Sequence, residues 1–115
     1  LSVGNCDIVI TGVIANTSSR GPVKDGRIKP EIIASGVSVG GPAPNNVYTN
    51  NIGTSASAPY VTGVWALLTE RYKQLHSGSN PKSALLKNIL CNTATDKGNA
   101  GPDYKNGFGW INPQR

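Results

Sequence analysis

The 115 residues predict an α/β chain, a mostly parallel sheet flanked by helices. Two stretches, "DIVITGVIA" (Asp7–Ala15) and "EIIASGV" (Glu31–Val37), are continuous β-branched and apolar runs. Strands buried on both faces read this way, whereas a half-exposed strand alternates. From Ser55 to Leu75 the apolar positions Val61, Val64, Trp65, Leu68 and Tyr72 recur at i, i+3, i+4, i+7 and i+11. That is one face of a helix of about six turns. A second helical pattern follows, so the order is strand, strand, helix, helix.

Between the two predicted strands, "NTSSRGPVKDGRIKP" is turn chemistry, punctuated by Arg20-Gly21-Pro22, Asp25-Gly26 and Lys29-Pro30. "GGPAPNN" reads as a loop and "VYTNNI" as an edge strand leading into the long helix. Pro59 near the helix start is tolerated there. "HSGSNP" ends that helix. Asn80 then caps the second one, with Pro81 in first position and Leu85, Leu86, Ile89 and Leu90 on its apolar face. The tail "GPDYKNGFGWINP" closes in a short strand-like aromatic stretch, and Trp65, Trp110 and Phe108 are expected in the core.

Charged residues make up 15% and hydrophobic ones 37%, which excludes a disordered tail. The 14 glycines and 8 prolines call for many turns. No apolar run approaches the length of a membrane span, and no signal-peptide pattern opens the chain. The chain opens on Leu1 and holds no methionine, so it is expected to be an excised or processed segment, a single unit over residues 1–115. The net charge of +5 does not mark a nucleic-acid binder. The densest basic cluster interleaves Arg20, Lys24, Arg27 and Lys29 with Asp25 and Glu31, and no aromatic residues alternate with it. A solvated loop held by ion pairs is the reading. Cys6 and Cys91 lack the CxxC spacing of a zinc site, and whether they pair is not legible.

The stretch "GTSASAPYVTGVWALL" (Gly53–Leu68) places hydroxyls among small residues at the start of the long helix. A serine there faces free backbone N–H groups and the positive end of the dipole, which stabilise a nearby oxyanion. Gly53, Ala56 and Ala58 leave room for a substrate backbone. The plainer use of Ser55 or Thr54 is as an N-cap. A serine nucleophile also needs a base, and the only histidine is His76. Twenty-one helical residues would separate the two by about 30 Å. His76 is therefore an exposed residue at a helix end. The GxSxG elbow is absent, since position 57 is serine.

"GTSASAPYVTG" resembles the serine motif of the subtilisin-like peptidases (subtilases), Gly-Thr-Ser-Met-Ala-x-Pro-His-Val-Ala-Gly. "SSRGPVKDGRIKPEIIASG" is similar to the stretch that precedes it in that family. "NTATDKGNAGPDYKNGFGWINP" resembles the closing segment. The resemblance runs through nearly the whole chain, in the right order and spacing. It implies the C-terminal portion of a subtilase catalytic domain, part of a three-layer α/β fold. It implies that Ser55 is the acylating nucleophile of a serine endopeptidase, that its backbone N–H helps hold the oxyanion, and that the Thr54 hydroxyl is a candidate supporter.

In that family the order is Asp, His, Ser, so the other triad members and the side-chain Asn of the oxyanion hole belong to an upstream part. Asp7 and Asp25 match no Asp motif and are not assigned. The 115 residues alone are thus expected to be inactive, with the upstream part of the domain as partner and a peptide or protein as substrate. The resemblance also implies no cofactor for the chemistry, leaves structural calcium open, and points to a secreted or cell-surface location. An open sheet edge is expected to favour self-association. Ala56 replaces the family's Met, Tyr60 its His, Glu31 its Asp and Ser35 its Pro. Ala56 keeps a second reading open, a catalytically dead subtilase fold serving as a binding or structural module.

Overall fold

The structure is a computed structural model and describes residues 1–7 and 13–114. Strand β1 (Val3–Asp7) is followed by β2 (Val13–Ile14), which returns antiparallel so that Cys6 faces Ile14 and Asp7 faces Val13. The single strand expected over Asp7–Ala15 does not form: Asp7 ends one strand, Val13–Ile14 is another, and Ile8–Gly12 lie outside the described residues. β1 begins earlier than its composition suggests because Gly4, a poor strand former, is needed for close approach. A Cβ at Gly4 would stand 2.8 Å from Pro30 Cγ and 2.9 Å from Ile33 Cγ2.

Strand β3 (Ile32–Ser35) lies parallel to β1, with Val3 opposite Ile32 and Cys6 opposite Ser35, and all four of its residues are buried. The expected buried strand within Glu31–Val37 is therefore present. Its other edge is taken by the tail: Ile33 N–H donates to Gly109 O and Ile111 N–H to Ile33 O, both at 2.9 Å. Trp110 thus bridges β3 in parallel and Thr95 antiparallel, the strand-like ending that the tail predicts.

"GGPAPNN" is not a loop. Val39–Ala43 forms β4, paired antiparallel with β5 (Val47–Asn51) in register from Val39–Asn51 to Ala43–Val47. A three-residue turn joins them, with Asn45 and Asn46 at φ 66° and 57°, the left-handed region that asparagine tolerates. Pro42 is accommodated because this ribbon has only two strands.

Helix α1 (Thr54–Leu75) starts one residue before the predicted position and lies over β1 and β3. Its apolar stripe delivers Val61 and Val64 to a core with Ile32, Ala34, Leu90 and Ile111, and Trp65 and Leu68 pack against its rim. Pro59 is the sixth helical residue, past the turn whose N–H groups are free, so it leaves the Ser55 carbonyl without an i+4 donor. Helix α2 (Ser83–Thr93) starts three residues after Asn80. Lys82, still extended, is the N-cap, and its carbonyl receives the N–H groups of Leu85 and Leu86. Leu86 and Leu90 are buried, whereas Leu85 is exposed. Trp110 packs on the core, but Phe108 is 36% exposed beside α2 and is not a core residue. No described helix is long and apolar enough to cross a membrane.

Candidate active site

The start of α1 is set by Gly53. Its φ of 129° is a conformation that side-chain-bearing residues rarely adopt, and its N–H donates to Gly36 O at 2.7 Å. This bond ties the helix start to the chain just beyond β3. Gly53 O in turn accepts the N–H of Ala56 at 3.0 Å and, more weakly, that of Ser57 at 3.4 Å.

Gly53 is the N-cap, so Thr54 and Ser55 are the first two helical residues and neither acts as a cap. Ser55 is exposed. Among the described residues, neither its Oγ nor its N–H makes a hydrogen bond, and the same holds for the Thr54 hydroxyl. The first turn carries no acidic residue to offset the positive end of the helix dipole. An exposed hydroxyl and a free amide thus share the electropositive end of a 22-residue helix. That arrangement suits attack by the hydroxyl and stabilisation of the oxyanion that results.

Ser57, two residues on, points the other way. It is fully buried and its Oγ donates to Ala34 O at 3.1 Å, which makes it a packed helix residue as its sequence position suggests.

Among the described residues, no side chain is hydrogen-bonded to Ser55 as a base. His76 is the C-cap of α1, at the far end of a helix about 33 Å long, with its ring stacked on Tyr72 at 4.0 Å between centroids. Asp25 sits in the exposed loop, where its Oδ2 accepts from Arg27 Nε at 2.8 Å. Asp7 ends β1. Both cysteines are free thiols. Burial, reinforced by Asp7 and partly offset by Lys97, pushes the Cys6 thiol up to about 11. Burial and then the charge of Glu31 raise Cys91 as well. Neither offers a thiolate nucleophile near neutral pH.

At the opposite end of β3 from Ser55 stands a charged cluster: the ion pairing of the loop was expected, but it is not all solvated, because Glu31 is buried and tied to Ser2 and to Lys87 of α2. Glu31 is 4% exposed. Its Oε1 pairs with Lys29 and, at 2.6 Å, with Lys87 of α2, while its Oε2 accepts from the N–H and hydroxyl of Ser2 at 2.6 and 2.7 Å. Burial alone would raise this carboxyl, but the Lys29, Lys87 and Ser2 hydrogen bonds outweigh it and hold the group far below its ordinary range. The cluster joins the N-terminus, the long loop and α2, and carries no chemistry for Ser55. Among the described residues no three His, Cys, Asp or Glu side chains converge as a metal site.

The family pattern described as the Subtilase family matches residues 1–109. The chain belongs to the subtilase family. It is 37% identical over 84 residues to the C5a peptidase of Streptococcus pyogenes, covering 71% of this chain and 7% of that protein. It is 31% identical over 105 residues to subtilisin DY of Bacillus licheniformis, covering 91% of this chain and 35% of that one. Among solved structures, the Clostridium perfringens CspB protease superposes with a TM-score of 0.85 at 27% identity, over 96% of this chain and 24% of that one. The prenylagaramide maturation protease PagA gives 0.78 at 30% identity, over 98% and 39%. The subtilase chain described here therefore spans well under half the length of these relatives, and its mixed α/β fold is theirs.

Proposed function

We propose that this subtilase chain carries the nucleophile of a serine endopeptidase and that Ser55 is that nucleophile. The observation that supports it most is the state of Ser55: exposed, unbonded at Oγ and N–H among the described residues, and second in a helix whose first turn has no acid. In this reading Ser55 Oγ attacks the peptide carbonyl and forms an acyl-enzyme, and the Ser55 N–H donates to the tetrahedral oxyanion with Thr54 beside it. The proton passes to a histidine oriented by an aspartate, both supplied by the length of the relatives that this chain does not span. The 115 residues alone would then turn over no peptide. A peptide or protein is the substrate, and a secreted or cell-surface setting goes with it.

Fluorophosphonate labelling of the full-length protein, with Ser55→Ala as control, tests this. Labelling that disappears in the variant is the expected result. A folded protein that takes up no label would instead favour the non-catalytic binding module, with Ser55 an idle helix residue.

A further inference from the structure

The sequence holds one Asn-Gly pair, Asn106-Gly107, at the head of the tail that seats along β3. This dipeptide is prone to lose its side-chain amide, because glycine has no Cβ to bar its nitrogen from the asparagine Cγ. In that step the Gly107 nitrogen gives up its proton and bonds to Asn106 Cγ. The bond from Cγ to the side-chain nitrogen breaks, ammonia leaves, and a five-membered succinimide remains. Water opens the ring at either carbonyl and leaves aspartate or isoaspartate. The balance is one water in and one ammonia out.

In the folded chain every group that this step needs is held. Asn106 is 6% exposed, which keeps water from its side chain. The Gly107 N–H, whose proton must leave, donates to Asp103 O at 3.0 Å, and Gly107 O accepts the Asp103 N–H at 3.0 Å. The Asp103 carboxylate takes the Asn106 N–H on Oδ1 at 2.7 Å and the Asn106 Nδ2 on Oδ2 at 3.2 Å. Burial alone would raise the Asp103 carboxyl. The N–H groups of Asn106 and Lys105 and the Asn106 carboxamide outweigh it and hold the group below its ordinary range. Asp103 is thus an anion at neutral pH, and it opposes a second negative charge on the Gly107 nitrogen. The nucleophile and the carboxamide both answer to one residue.

We propose that Asn106-Gly107 is a self-deamidation site, latched by Asp103 while the tail lies on β3 and released when the tail opens, and that conversion makes the opening permanent. The bonds that seat the tail follow directly. Phe108 N–H donates to Glu31 O at 2.7 Å, Ile33 N–H to Gly109 O and Ile111 N–H to Ile33 O, both at 2.9 Å. Isoaspartate inserts a main-chain methylene just ahead of these bonds and throws them out of step. Aspartate puts a carboxylate where the Asn106 amide had donated, against the carboxylate of Asp103. Neither product reseats the tail. The proposal is independent of the role of Ser55.

The test ages the full-length protein at neutral pH, natively and in urea, and reads the tail peptide by mass spectrometry for amide-to-acid conversion and for isoaspartate. Conversion is expected to be at least about tenfold slower in the native protein, since it proceeds only through opened molecules. Native and urea rates within about twofold of each other, or no conversion in urea, overturn the proposal. Asp103→Asn is expected to convert about tenfold faster than the unsubstituted protein under native conditions, with hydrogen exchange in α1 showing that the rest of the fold is intact. An unchanged rate in that folded variant overturns the latch. Should the variant not fold, the native-to-urea ratio of the unsubstituted protein decides.

Permanence is read after the urea is removed, by hydrogen exchange at the Ile33 and Ile111 amides. Chains aged in urea at mildly acidic pH, where the Gly107 nitrogen keeps its proton, are expected to regain protection. Chains aged in urea at neutral pH are expected to lose it in proportion to the fraction converted. Converted chains whose protection returns to within about twofold of unaged protein overturn the one-way character of the site.

Discussion

The Ser57 hydroxyl donates to the Ala34 carbonyl across 3.1 Å, and this single bond fastens the first turn of α1 to the middle of β3. Both residues are fully buried, so water cannot take over when the bond is lost. Ser57→Ala is therefore expected to destabilise the protein by about 1–2 kcal/mol, an ordinary buried hydrogen bond with its acceptor stranded. A urea unfolding midpoint that moves down at constant slope would bear this out, and an unchanged midpoint would contradict it.

Gly36 has no room for a side chain. Its Cβ would meet the Gly53 carbonyl at 2.6 Å, a backbone atom that cannot swing aside, besides Ser57 Oγ at 2.1 Å. Gly36→Ala is expected to cost about 1–3 kcal/mol by overpacking, and to displace the turn that carries Ser55. Equilibrium unfolding measures the first effect and the fluorophosphonate labelling rate the second. Full stability and full labelling together would show the turn to be far softer than its contacts indicate.

Glu31 makes stability depend on acid. Its carboxyl titrates well below the ordinary 4.5 in the folded chain, so the unfolded state binds its proton first as pH falls. Its contribution is complete above pH 4.5 and is lost progressively below that value, toward the depressed native value. Glu31→Gln is expected to be less stable at neutral pH by about 1.5–3 kcal/mol and to show a flatter acid limb. Lys87→Ala should cost less, about 1 kcal/mol or below, since Lys87 is 45% exposed and Lys29 and Ser2 still hold the carboxylate. Stability curves collected from pH 7 down to pH 2 separate these outcomes; parallel curves for Glu31→Gln and its parent would be inconsistent with the depressed carboxyl.

The two thiols should differ in reach. With its pKa near 11, the buried Cys6 is about one part in a thousand thiolate at pH 8 and shielded as well. Cys91 lies half-buried beside Arg27 and Phe108 in a cleft along α2. A thiol-exchange reagent is expected to modify Cys91 first in the folded protein, and Cys6 only on unfolding. Prompt reaction of Cys6 under native conditions would argue against the close packing of β1.

Long-range order was most legible where the pattern was long. The 3.6-residue spacing of Val61, Val64, Trp65, Leu68 and Tyr72 located α1 to within one residue, and the run Ile32–Ser35 announced a strand buried on both sides. β1 and β4 were hidden for a shared reason. Gly4, Asn5, Gly40, Gly41 and Pro42 are residues that strands usually avoid; pairing with the distant β3 overrode that preference in β1, and hairpin pairing with the neighbouring β5 did so in β4. The Asn45-Asn46 pair was the one local clue to the hairpin. Phe108 looked like core because it is aromatic, but the glycines beside it decide its place: a Cβ at Gly107 would be 2.3 Å from both Pro30 O and Glu31 O. The backbone, not the ring, is pressed against the sheet there. At the site itself, the helix-start serine was readable from small residues and spacing. The buried side chain of Asn5 was not, since a lone Asn before a cysteine carries no signature of what it faces.

The tail's seat along β3 has a temporal side. Ile33 receives one edge partner from β1, about thirty residues earlier, and the other from Gly109 and Ile111, almost eighty residues later. During synthesis on the ribosome, Ile32 and Ala34 emerge long before Ile111, which helps enclose them. The strand at the centre of the core therefore waits, half-sheltered, for residues made much later, and a chain stalled short of Trp110 offers that waiting edge to whatever strand arrives first.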